Sequence, residues 1–186
     1  MDHRRGLRMR LDRSRVGDKP LVLVTVGGGG WHQQGVRLVE RLSTAEFRFA
    51  YVYGINKFVT STRRLTMPHD GPRYPMRCIA QTHRHAVRRF TNLARFAWSL
   101  ADAFRLIRRL RPQAVIALAT TMSVPLFVAA RCLGIPCVFI ESLTRSTRLS
   151  WTGRVVYHLR LAQRFYVQWP GLRERHRRAT FAGAAV

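Results

Sequence analysis

Acidic residues are scarce in this chain. Nine Asp and Glu stand against 33 Lys and Arg over 186 residues, a formal charge of +24. Lysine is nearly missing as well, with only Lys19 and Lys57, so the positive charge is carried by arginine. A GC-rich coding sequence accounts for Arg over Lys but not for the shortage of acids, whose codons can also end in G or C. The imbalance therefore points to a polyanionic partner: a membrane surface, phosphates or nucleic acid. The missing acids also exclude chemistry. There is no Asp-x-Asp pair to hold a divalent cation and no His-Glu-x-x-His zinc helix. Cys78, Cys132 and Cys137 are an odd set without a Cys-x-x-Cys spacing, and read as buried thiols of a reducing compartment. The first twenty residues are basic and lead into no apolar core, so no secretory signal is expected. The uncharged run from Pro112 to Ala130 is nearly long enough to span a bilayer, but Thr120, Thr121 and Pro125 divide it into strand, loop and helix.

What is present alternates. Leu21 to Val26 is a β-branched run suited to a strand buried on both faces, followed at once by Gly27 to Gly30 and then by Val36, Leu38, Val39 and Leu42 at helical spacing. Further strands are expected at Phe47–Tyr53, Arg77–Ala80, Ala114–Leu118, Cys137–Ile140 and Phe165–Gln168. Helices are expected at Ala86–Leu110, Ser123–Leu133 (capped by Gly134) and Ser150–Ala162. Gly54 to Pro75 reads as a long surface loop. Ala86, Phe90, Leu93, Ala97, Leu100 and Phe104 mark one face of the long helix. Arg88, Thr91, Arg95, Ser99, Asp102 and Arg109 mark the other, with Phe96 and Trp98 on the flanks. The expected fold is α/β, a Rossmann-like parallel sheet with helices on both faces. Residues 1–19 are expected to be a basic, disordered arm, 20–170 a single Rossmann-like domain and 171–186 a basic C-terminal tail.

In such sheets ligands bind outside the carboxyl ends of the strands. That selects four segments: Gly27–Trp31, Ala119–Ser123, Glu141–Ser150 and the stretch after Gln168. The glycine run is neither a P-loop nor a dinucleotide fingerprint, since Gln33 takes the place of the third glycine. Two readings of it stand together: Gly28, Gly29 and Gly30 let the backbone approach a phosphate or sugar, or they form a tight turn. His32 is either a base or phosphate contact, or a helix-start residue. Glu141 ends an apolar strand, and is either a catalytic carboxylate or the partner of an arginine such as Arg145. The hydroxyls of Ser142, Thr144, Ser146, Thr147 and Ser150 suit sugar or phosphate, and Ser150 equally suits a helix cap. The basic amphipathic helix is suited to an anionic interface through Phe96, Trp98 and Arg95, or to packing on the sheet.

The tokens Phe139-Ile140-Glu141-Ser142, Arg145, Leu149-Ser150-x-Thr152-Gly153, Tyr157 and Phe165-x-Val167-Gln168-Trp169 occur in an order and spacing that are fairly specific. From Arg111-Pro112 to Trp169, and with the glycine loop from Leu21 onward, the chain resembles the membrane-recruiting subunit of the two-component UDP-N-acetylglucosamine transferase of lipid-linked oligosaccharide synthesis. The bacterial PssD-type exopolysaccharide subunits are of the same kind. The resemblance implies the N-terminal, acceptor-binding half of a MurG-like GT-B glycosyltransferase, peripheral on the cytoplasmic face of the inner membrane. It implies a separate small catalytic subunit that binds the UDP-sugar donor, no cofactor or metal on this chain, and a polyprenyl-pyrophosphate-linked acceptor. It further implies His32 and Glu141 as candidate bases, and Gly28, Gly29, Gly30, Thr120, Thr121, Ser142, Arg145 and Ser150 around the acceptor. Gln168 and Trp169 would face the partner subunit. The family's histidine after the Gly-Gly pair is Trp31 here, with His32 one place later. The family's Pro-Asp is Pro112-Gln113, its Thr-Gly is Thr120-Thr121, and its Asp before Phe165 is Gln163 or Arg164. A nucleic-acid-binding α/β module is the alternative. It is disfavoured because the arginines are spread over many elements and no helix-turn-helix, RNP or zinc-finger signature is present.

Overall fold

The computed structural model of the chain describes residues 19–27, 30–42, 44–55, 67–77 and 87–183; residues 30–32 and 87–92 are described as backbone only. The elements in chain order are β1 (Leu21–Val26), α1 (Gly30–Glu40), β2 (Arg48–Ile55), β3 (Arg73–Arg77), α2 (Val87–Leu110), β4 (Ala114–Leu118), α3 (Ser123–Cys132), β5 (Cys137–Ile140), α4 (Trp151–His158), β6 (Arg164–Val167), α5 (Pro170–Arg175) and β7 (Thr180–Phe181). The strands form one parallel sheet in the order β3-β2-β1-β4-β5-β6-β7. The order reverses between β1 and β4, which is the switch point where doubly wound sheets open a crevice.

The sheet is buried on both faces because its side chains alternate. Leu23 of β1 and Ala50 and Val52 of β2 belong to the larger core, with Ala103 and Ile107 of α2 and Leu126 and Phe127 of α3. Val22, Val24 and Val26 of β1 and Phe49 and Tyr51 of β2 face the other way, where Val39 of α1 covers them. At the switch point β1 and β4 stop pairing at Val24 and Ile116, before either strand ends. There the Thr25 hydroxyl replaces the ladder, accepting the Leu118 N–H at 3.2 Å. Gly35 brings α1 close to this seam, since a Cβ at that position would lie 3.3 Å from Leu118 Cδ1.

Four expectations are corrected. The third strand is Arg73–Arg77 rather than Arg77–Ala80, so the end of the segment read as loop is strand. It is an edge strand, which is where Pro75 is tolerated, and the residues from Cys78 to Ala80 lie outside those described. The buried stripe of α2 is rotated by roughly 90°, at 100° per residue, from the face marked by the large apolar residues. Leu93 is 65% exposed, whereas Ser99 is fully buried and donates its hydroxyl to Arg77 O at 2.8 Å. The small Ser99 and Ala103 allow close approach to β3 and α3, with Phe96, Leu100 and Leu110 packed beside them. Finally, the segment read as a basic tail carries α5 and β7, and β7 pairs with β6 through Tyr166↔Thr180 and Val167↔Phe181. Cys137 is buried but Cys132 is exposed. The strand–loop–helix reading of Pro112–Ala130 agrees with β4 and α3. Gly134 closes α3 with φ 71°, and Arg111, at φ 46° before Pro112, ends α2.

The Thr25 hydroxyl is the acceptor that lets β1 and β4 part without orphaning a buried N–H. Thr25→Val keeps the shape and removes that acceptor. It should destabilise the domain by about 1–3 kcal/mol, read as a lower urea midpoint at unchanged slope.

Candidate functional site

The carboxyl ends of β1, β4, β5 and β6 gather the residues singled out by the sequence. Gly28 and Gly29 lie outside the described residues. Gly30 and His32 lie in the first turn of α1, at the carboxyl end of β1, where the backbone alone is described.

Glu141 follows β5 and is completely buried. Its Oε1 accepts the Ser142 N–H at 2.8 Å, and its Oε2 accepts the Ser150 N–H at 2.9 Å and the Ser150 hydroxyl at 3.1 Å. Ser150 Oγ in turn accepts the Gly153 N–H at 2.9 Å, so Ser150 is the N-cap of α4. A Cβ at residue 153 would collide with Glu141 Oε2, and this is why a glycine stands one turn into α4. Burial pushes the Glu141 carboxyl above its ordinary value; the hydrogen bonds from Ser142 and Ser150, and the charge of Arg145, pull it back. The pairing reading is corrected: no ion pair joins Glu141 to Arg145, which is exposed and acts on it only through its charge, and as the chain stands both carboxylate oxygens are taken by the loop's own donors. Glu141 is a positioning residue: it ties the two ends of the 142–149 loop together and fills the N-terminus of α4 with an internal anion.

The loop is held at further points. The Trp169 indole N–H donates to Leu143 O at 2.6 Å, Gln34 Oε1 faces the Leu143 N–H at 3.4 Å, and the Arg175 guanidinium donates to Thr147 O at 2.8 Å. Ser142 is buried, its hydroxyl 2.9 Å from that of Thr144, so Ser142 and Ser150 shape the loop rather than face a ligand. Thr144, Arg145, Ser146, Thr147 and Arg148 are exposed on its outer side. After β4, Thr120 is buried with its hydroxyl 3.2 Å from Ser123 Oγ, while Thr121 is half-buried at the crevice.

Gln168 is also corrected. It is 3% exposed, and its Nε2 donates to Glu141 O at 2.7 Å and to Gln34 Oε1 at 3.0 Å, so it is a strut inside the domain and no partner surface. Trp169 beside it is at the surface, 41% exposed. Gln34, which this network reveals, carries no signal in the sequence beyond being one of two adjacent glutamines before Gly35. Of the expected membrane residues, Phe96 packs against the core. Trp98 is exposed with the Arg77 guanidinium 5.4 Å from its ring centroid, and Arg95 is exposed. A second depression, lined by Tyr157, Arg160, Gln163 and Arg178, lies at the opposite, amino end of β6, away from this site.

The domain resembles MurG and the N-terminal halves of GT-B glycosyltransferases. It is similar to MurG from Acinetobacter baumannii, with 17% identity and a TM-score of 0.65 over 90% of this chain and 45% of that one. It is similar also to UDP-N-acetylglucosamine 2-epimerase from Rickettsia bellii, with 11% identity and a TM-score of 0.62 over 90% and 46%. The chain thus spans under half of either structure. More particularly, it belongs to the family described as "Oligosaccharide biosynthesis protein Alg14 like", whose pattern matches residues 22–185. A human relative, "UDP-N-acetylglucosamine transferase subunit ALG14", is 28% identical over 181 residues, covering 89% of this chain and 82% of that protein.

The buried carboxylate makes stability depend on pH with a definite sign. Its folded pKa is raised, so the native state holds the proton more tightly than the unfolded chain. Stability should fall as pH rises from the ordinary value of 4.5 up through the raised pKa. Glu141→Gln should flatten that slope and cost about 1–3 kcal/mol, because its amide nitrogen must face an N–H donor. Denaturant titrations of both proteins between pH 4 and pH 8 measure it.

Proposed function

We propose that this chain is the acceptor-binding subunit of a two-chain glycosyltransferase that moves N-acetylglucosamine or another hexose from a UDP-sugar to a polyprenyl-pyrophosphate-linked acceptor. The observation that carries the reading is the match to the Alg14-like family and to a relative named as a transferase subunit. A single Rossmann-like domain corresponds to 82% of a protein named as a transferase subunit and to 45% of MurG. The donor nucleotide is then held by a partner chain, and this chain needs no cofactor of its own.

In this reading the crevice at the switch point takes the acceptor. The clamped 142–149 loop presents Arg145 and Arg148 to the pyrophosphate, while Glu141 keeps the loop in place from beneath. With α4 already occupied by Glu141, the helix end that serves the acceptor phosphates is the first turn of α1, where His32 is the candidate base. Of the two residues expected at the partner contact, Trp169 alone is exposed, and in this reading it lies where the partner and the acceptor meet. No helix among the described residues is long and apolar enough to cross a membrane. Attachment to the cytoplasmic membrane face falls to Trp98 on the outward side of α2, with the exposed Arg95, Arg105, Arg108 and Arg109, each basic group near an anionic surface contributing about 1 kcal/mol.

An affinity pull-down from detergent-solubilised native membranes, with nuclease present, tests the assembly. A small α/β partner in near-equal amount, and UDP-sugar transfer only by the recovered complex, are expected. Recovery from the soluble fraction on nucleic acid until nuclease releases it would overturn the reading. For the membrane arm, Trp98→Ser combined with Arg105→Ser and Arg109→Ser should reduce flotation with vesicles containing phosphatidylglycerol by about tenfold. Flotation with neutral phosphatidylcholine vesicles should stay low in both proteins.

A further inference from the structure

The donor of one buried side chain is unused. Gln34 is 7% exposed, in the second turn of α1. The direction of its amide follows from its neighbours. Gln168 must turn its nitrogen toward Glu141 O, which can only accept, and that same nitrogen meets Gln34. The Gln34 atom at this point is therefore the oxygen, as the Leu143 N–H facing it also requires. The Gln34 amide nitrogen lies on the other side of the same planar group, and its two N–H donors have no hydrogen-bond partner among the described residues. A buried donor left unmade costs about 1–3 kcal/mol, so this pair is a place for an incoming acceptor atom.

A second observation concerns what stands beside it. Leu143, which Gln34 meets on its N–H, is held on its carbonyl by the Trp169 indole. The two side chains flank one residue, a neutral pair of donors on one side and a fixed, 41% exposed aromatic ring on the other. A neutral donor pair and an aromatic ring, set on either side of one residue, are the groups a sugar ring uses, since it offers hydroxyl and acetamido oxygens and an apolar C–H face. The charges suited to phosphate, Arg145 and Arg148, lie on the outer side of the same loop.

We propose that Gln34 and Trp169 form a hexose subsite in the crevice, with the Gln34 N–H pair donating to a sugar oxygen and the pyranose resting on Trp169. This rests on the acceptor-binding reading above and adds to it the residues that recognise the sugar as distinct from the pyrophosphate.

The test uses the full chain, with methyl N-acetyl-β-glucosaminide and inorganic pyrophosphate as separate probes, followed by the side-chain amide signals in nitrogen-15 NMR. The sugar should shift the Gln34 amide pair saturably, and pyrophosphate should not. Gln34→Glu at pH 8 keeps an oxygen for Leu143 and Gln168 but removes the donors. It should weaken sugar binding by about tenfold or more, and by more than the added negative charge weakens pyrophosphate binding. Trp169→Ala should weaken sugar binding similarly, and Trp169→Phe much less. If sugar binds the wild type without moving the Gln34 signals, or binds Gln34→Glu equally well, the subsite is overturned and the acceptor-binding reading stands. If wild type binds neither probe, both fall. Should Gln34→Glu fail to fold, the wild-type shifts and the Trp169 pair still decide.

Discussion

The carboxylate of Glu141 is the constraint on which the crevice depends. A carboxylate removed from water is tolerated only when its lone pairs are met, and here three donors from the two ends of one loop meet them. The consequence is geometric. Residues 142 and 150 are held to one point, α4 starts from that point, and the segment between them has to arch outward. The positive end of α4 is neutralised from inside, so it is not free for a ligand. Charge for an anionic ligand must come from the outer side of the arch, which is where Arg145 and Arg148 stand.

The switch point supplies the other half of the site. Parallel strands paired to their ends would leave no opening, so β1 and β4 have to part, and parting strands strand an N–H. The Thr25 hydroxyl takes up that N–H. Gly35 then lets α1 lie against Leu118, which brings Gln34 within reach of the loops after β5 and β6. The Gln34–Gln168 bond joins residues 134 positions apart, and through it the turn carrying His32 and the loop carrying Arg145 share one frame.

Much of this was legible in the sequence, for identifiable reasons. Alternating short apolar runs and helical patterns identified β1, β4, β5 and β6 to within a residue or so, because strands buried on both faces must be continuously apolar. The Phe139–Trp169 tokens located the loop and led to the family. What periodicity could not show was direction. On α2 the large residues marked a face, but Ser99 and Ala103 decide the packing because small residues let the helix close on its neighbours. Glu141, Ser142 and Gln168 were singled out correctly as special, yet as ligand-facing or partner-facing groups, whereas for Ser150 the helix-cap reading, one of the two made, is the one the structure bears out. A polar residue turned inward and one turned outward look the same in a one-dimensional pattern, and only the hydrogen-bond partners separate them. Gln34 was not singled out, since its partners are brought to it by the topology alone.

The net charge and the buried amide network answer different needs. A surface with an excess of 24 positive charges attracts any polyanion, and that attraction is long-ranged and screened by salt. It brings the chain to phosphates or to an anionic interface but cannot choose among them. Choice requires groups whose unmet hydrogen bonds penalise the wrong ligand, and such groups have to be neutral, buried and held still. In this molecule Arg145 and Arg148 are exposed, whereas Gln34, Gln168 and Glu141 are buried and linked to one another. Capture by charge at the rim and selection by neutral donors within the crevice are thus assigned to different residues. Substitutions at the rim should therefore change the salt dependence of binding, and substitutions within the network its ligand preference.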